Sequence, residues 1–161
     1  MLRGSEWGRR LAGVVLLVLM AGGCAASTRA SSTGSLGSIS ESLDESTSAT
    51  ATAVLVAELV SAGRMPTVTA DAALEDAVSA SDAATHALTT IVVPDAEALA
   101  VQERALEVAQ EAARAVVATR VWVGGGSPEG SGAVREALEK SGSDLENITE
   151  QVQGLLEDGE S

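Results

Sequence analysis

Between positions 74 and 155 the apolar side chains recur at alternating spacings of four and three, and this period limits the fold more than any other feature of the chain. Leu74, Val78, Ser81, Thr85, Leu88 and Val92 form one row, with Ala73, Ala77, Ala80, Ala84, Ala87 and Ile91 beside it. Two adjacent rows predict a helix over 70–92 that packs against two neighbours. Ala98, Val101, Ala105, Val108, Ala112 and Ala115 form the next row, flanked by Leu99, Leu106, Ala113 and Val116, while Glu103, Glu107, Glu111 and Arg114 mark its wet side. Val134, Leu138, Ser141, Leu145, Ile148, Val152 and Leu155 form the last. A shorter helix is expected over 47–62, where Leu55, Leu59 and Ala62 share a side with Val56 and Val60. No segment alternates apolar and polar residues as a half-buried strand does. The expected fold is all-α: a small antiparallel up-and-down bundle of three long helices and a shorter one.

The boundaries follow from local chemistry. Gly63 is placed to stop the short helix, and Thr69 to cap the next, with Asp71 in its first turn. Pro94 excludes a helical hydrogen bond and ends that helix. Asp95 and Glu97 suit the electropositive start of the following one, which runs to about Trp122. A short connection folds these two helices back on each other. Gly124, Gly125 and Gly126 stop the third, and Ser127-Pro128-Glu129 reads as an N-cap, a first-position proline and a first-turn acid. Gly142 weakens the last helix by roughly 1 kcal/mol relative to alanine.

Ahead of the bundle the composition changes. Residues 25–48 contain nine Ser and three Thr, interrupted by Gly34 and Gly37. Hydroxyl side chains compete for backbone hydrogen bonds and glycine adds entropy, so a flexible tether is expected over 24–46, with a typical reach of roughly 25 Å. The bundle is then expected over 47–157, followed by a solvated acidic tail over 158–161. The hydroxyl-rich stretch also suits glycosylation, which composition does not decide.

The first 24 residues have a basic start (Arg3, Arg9, Arg10), an apolar run over 11–20, and Ala21-Gly22-Gly23 before Cys24, the only cysteine of 161 residues. That is the order of a secretory signal peptide, and the run is far short of the roughly 20 residues of a membrane span. AGGC resembles the lipobox of bacterial lipoproteins, although Ala21 stands where the family usually has Leu. The resemblance implies cleavage between Gly23 and Cys24 and a diacylglyceryl group on the Cys24 sulfur. It also implies an often acylated new amino terminus and a lipid-anchored place at the outer face of the cell membrane. In a source with an outer membrane, Ala25 permits transfer there. Read without the resemblance, Cys24 is a small buried hydrophobe or an idle thiol behind an ordinary cleavage site. Gly8 and Ala12 around Arg9-Arg10 fit ordinary export better than the twin-arginine route.

Cleavage behind Gly23 removes three of the 10 basic and one of the 23 acidic residues, taking the net charge from -13 to -15. Such a chain is repelled by nucleic acid and by anionic headgroups, so its hold on a membrane must come from acyl chains. A lone cysteine cannot form an intramolecular disulfide, and with a single histidine it supplies no zinc site. The glycine run lacks the Lys and Ser/Thr of a phosphate loop. Ser79, Asp82 and His86 share a helical face, but a triad needs the histidine between nucleophile and acid, with a pocket and oxyanion donors. They read as a solvated face, as do Glu103, Glu107 and Glu111. No cofactor, metal or reaction is implied. Trp122, the last aromatic of the chain, is either a plug at one end of the bundle or an anchor for a partner. The chain thus reads as a non-enzymatic lipoprotein whose bundle is a structural or protein-interaction module of the envelope. The alternative is a carrier that shelters a lipid or small apolar ligand between the inner helix faces.

Overall fold

The computed structural model describes residues 32–125 and 130–159. Four helices follow one another: α1 (Ser32–Ser61), α2 (Thr67–Thr90), α3 (Ala96–Val123) and α4 (Gly130–Gly159), with no strand among the described residues. The all-α bundle expected from the periodicity is present. All four helices are long, between 24 and 30 residues.

The core divides into two apolar clusters that reveal the chain direction. At one end Leu36, Ile39 and Leu43 of α1 meet Leu88 of α2, Val101 to Ala112 of α3, and Leu145, Ile148 and Val152 of α4. At the other end Ala49, Ala53 and Val56 meet Ala70, Leu74 and Ala77, then Ala115, Val116 and Val123, then Val134 and Leu138. Early α1 therefore shares an end with late α2, early α3 and late α4, which is up-down-up-down topology. We call this end proximal and the other distal. Neighbours in the ring α1-α2-α3-α4 all touch, and α1 also touches α3 across the middle, whereas α2 and α4 stay apart. Small side chains permit that short diagonal: Ser42, Ser46, Ala49 and Ala53 on α1, and Ala105, Ala109 and Ala112 on α3.

The first helix corrects the expected tether. Residues 32–46 lie inside α1, and Leu36, Ile39 and Leu43 are core residues, Ile39 and Leu43 with 0% exposure. Several of its serines and threonines are accommodated in the helix by donating their hydroxyls back to its own carbonyls. Ser42 Oγ reaches Ser38 O at 3.0 Å and Thr50 Oγ1 reaches Ser46 O at 2.9 Å. The buried line of α1 continues through Ala49, Thr50, Ala53 and Val56. This rotates the expected face, leaving Leu55 56% exposed and Ala62 beyond the helix end. The acidic tail is likewise shortened, since Asp158 and Gly159 belong to α4.

In α3 and α4 the main rows hold, while in the flanking α3 row Leu99 is exposed and Leu106 and Ala113 are only partly buried. All six residues of the main α3 row are buried, as are Val134, Leu138, Ser141, Leu145, Ile148 and Val152 of α4, with Leu155 partly so. In α2 the buried line runs between the two expected rows, through Leu74, Ala77, Ser81, Ala84 and Leu88, while Val92 lies past the helix and is exposed.

Helix ends are set by a few specific bonds. Gly63 at φ 65° closes α1: its amide donates to Val60 O at 2.9 Å and the Arg64 amide to Leu59 O at 2.8 Å. α2 starts at Thr67 behind Pro66, with no side-chain cap, so Thr69 sits inside the helix instead of capping it. Asp95 caps α3 by accepting from the Ala98 amide at 2.8 Å, and its other oxygen accepts from Ser32 Oγ at 2.8 Å, tying the starts of α1 and α3. These bonds, the Ala98 amide first and the Ser32 hydroxyl second, hold the Asp95 carboxyl below its usual range. The cap is therefore intact above that range and is lost as pH falls through the lowered value. The expected cap and first turn at Ser127, Pro128 and Glu129 lie outside the described residues.

Between the two clusters lies a layer of hydroxyls. Ser46, Ser81 and Ser141, on three helices, are 1%, 3% and 5% exposed. Ser81 Oγ donates to Ala77 O at 2.9 Å, but Ser46 Oγ is buried with no partner in the structure. An unpaired buried hydroxyl is costly, and alanine is also the better helix former, so Ser46→Ala is expected to raise stability by about 1 kcal/mol in urea titration. A loss of stability would show that the hydroxyl has a partner.

Candidate functional site

The distal end carries the one aromatic among the described residues. Trp122 is the penultimate residue of α3, half-buried against the distal cluster. The indole lies close to the backbone of α4: a Cβ on Gly130 would stand 3.3 Å from Trp122 Cδ1 and would need the ring to give by a few tenths of an ångström. Part of the ring packs, as a plug would, and the rest lines a recess of about 40 Å³ with Val54, Ser61, Arg135 and Leu138. Trp122→Ala is expected to cost about 2 kcal/mol, in line with a half-buried large side chain. That corresponds to a fall in Tm of roughly 6–10 °C. An unchanged Tm would leave the ring no packing role.

The recess opens into a longer groove of about 450 Å³ between α1 and α4. Val54, Glu58, Leu138 and Glu139 line both. The lining of the groove combines the small or apolar Ala51, Val54, Leu55, Leu138 and Gly142 with the hydroxyls of Thr47, Thr50 and Ser143. A Cβ added at Gly142 would meet nothing within 4 Å, so the groove is open above it. The exposed carboxylates of Glu58, Glu139 and Glu146 stand along it and make no ion pair among the described residues. Sequence reasoning missed this groove because the glycine and alanines that create it look like weak helix positions, not like a site.

Charge elsewhere is structural or solvated. Arg120 bridges α3 to α2, donating from Nε to Asp71 at 2.9 Å and from an amino group to Glu75 at 3.2 Å. The Arg120 hydrogen bond holds the Asp71 carboxyl below its usual range, and the same bond raises the guanidinium. Gln102 caps the end of α2 by donating to Leu88 O at 2.6 Å and Ile91 O at 2.9 Å. Ser79, Asp82 and His86 are all exposed, and the Ser79 hydroxyl donates to Glu75 O at 3.0 Å rather than toward His86. Glu107 and Glu111 pair with Arg104 and Arg114 on their own helix. Among the described residues no three His, Cys, Asp or Glu side chains converge as metal ligands. The inner helix faces pack on one another, so carriage of a ligand there requires the helices to part.

Gly23 and Cys24, with the leader and the stretch over 24–31, lie outside the described residues. Comparison of the chain with known protein families, curated proteins and solved structures found no match.

Proposed function

We propose that this chain is a bacterial lipoprotein, cut between Gly23 and Cys24 and held at the outer face of the cell membrane by a diacylglyceryl group on Cys24. Its bundle is a non-catalytic interaction module of the envelope. The observation that carries the reading is the order of features at the amino terminus: basic residues, a short apolar run, Ala21-Gly22-Gly23, then the only cysteine. The bundle is compatible with it. No described helix is long and apolar enough to cross a membrane, so an anchor would have to come from outside the described residues. The exposed, non-convergent Ser79, Asp82 and His86 support a non-catalytic role. Apolar surface at the distal end, around Trp122 and Leu55, supports interaction. Mass spectrometry of the amino-terminal tryptic peptide, residues 24–29, tests the anchor. The expected result is a peptide beginning at Cys24 and heavier by the diacylglyceryl group. An unmodified Cys24 peptide from membrane-extracted protein overturns it.

A further inference from the structure

We propose that the groove between α1 and α4 receives a basic amphipathic helix of a partner protein. The shape favours a helix. From Thr47 to Ser61, the α1 residues lining groove and recess, the wall rises about 21 Å, the length of a helix of roughly 14 residues. The lining offers Val54, Leu55, Leu138 and the open space above Gly142 to apolar side chains spaced three and four apart on such a helix. The rim selects its charge. Glu58, Glu139 and Glu146 line the groove, and among the described residues they make no ion pair and Arg135 is the only cation lining either the groove or the recess. A helix with lysines or arginines beside its apolar stripe would meet three carboxylates against one guanidinium. A second copy of this chain fits less well, because it would bring the same three carboxylates and a net charge of -13 against the first.

This inference rests on the interaction-module reading but not on the lipid at Cys24. The lipid has its own readout in the mass of the amino-terminal peptide, so the two fail separately.

The test uses the full chain from residue 24 onward carrying Cys24→Ser, so that Trp122 is its only tryptophan. The probe is an 18-residue helical peptide of leucine and lysine, with leucines at one face, and its leucine–glutamate counterpart is the control. Trp122 emission and the anisotropy of labelled peptide report binding. The lysine peptide is expected to bind saturably with a shift of Trp122 emission, and the glutamate peptide not to bind. Gly142→Leu puts a side chain into the open space above Gly142, where a Cβ meets nothing within 4 Å, and replaces glycine by a better helix former, so its melting should be unchanged or raised. Its binding should weaken at least about tenfold, about 1.4 kcal/mol. Glu58→Gln/Glu139→Gln/Glu146→Gln should weaken binding at low salt and much less at high salt. Absence of binding, or equal binding to the Gly142→Leu chain, overturns the proposal. So does a concentration-dependent dimer abolished by Gly142→Leu, which would assign the groove to a second copy.

Discussion

Leu43→Ala is expected to destabilise the bundle by about 3 kcal/mol, and Ile39→Ala by a similar amount, with Tm falling by roughly 10 °C or more. Both side chains are fully buried in the proximal cluster, in contact with helices from the far end of the sequence. Truncation removes transfer energy and leaves a cavity that Ala105, Ala109 and Ala112, already small, cannot move to fill. The neighbouring Glu41 and Asp44 are exposed, so their alanine variants should stay within about 0.5 kcal/mol of the parent. Urea denaturation of the four variants separates the two descriptions of residues 32–46. A tether would make all four silent, whereas a core helix makes two severe and two neutral. If Ile39→Ala and Leu43→Ala melt with the parent, α1 does not begin before residue 47.

Cys24→Ala should have the largest effect on where the protein is found and the smallest on its fold. Acyl chains contribute about 0.8 kcal/mol per buried CH₂, so two long chains supply on the order of 20 kcal/mol, and their loss is all-or-none in practice. Electrostatic contact with anionic lipid would not substitute for them, because the chain is acidic, with a net charge of -13, and cleavage behind Gly23 would make it -15. The parent should stay with membranes through high-salt washing. The variant should accumulate as uncleaved precursor or appear in the soluble fraction, with the thermal melt of the bundle unaltered. A variant that fractionates and is processed like the parent removes the lipid anchor from the proposal.

How much of this was legible depended on which residues carried the signal. The main α3 and α4 rows could be read residue by residue, because Ala and Val in α3, and Val, Leu and Ile in α4, contrast with the charged residues outside them. In α2 one row mixes Leu and Val with Ser81 and Thr85 and the other is nearly all alanine, so the period is visible but the centre of the face is not. In α1 the seam Leu36, Ile39, Leu43, Ser46, Thr50 and Ala53 keeps the spacing of three and four. Its composition nonetheless resembles a linker, and the weight given to serine hid three large apolar residues. What composition omits is that a hydroxyl can satisfy itself on the carbonyl one turn back and pack as a small side chain. Trp122 was recognised as a candidate, but the groove beside it was not. A groove arises from what two helices lack where they meet, and neither helix shows that alone.

The start of α1 at Ser32 sets a height. Only seven residues separate Cys24 from the helix, and seven residues extend at most about 25 Å, while α1 itself rises about 45 Å. If Cys24 carries the anchor, the Trp122 corner and the groove lie in a layer no more than about 70 Å above the bilayer. Any partner must reach into that layer, and its own attachment point and length are bounded by the same ruler.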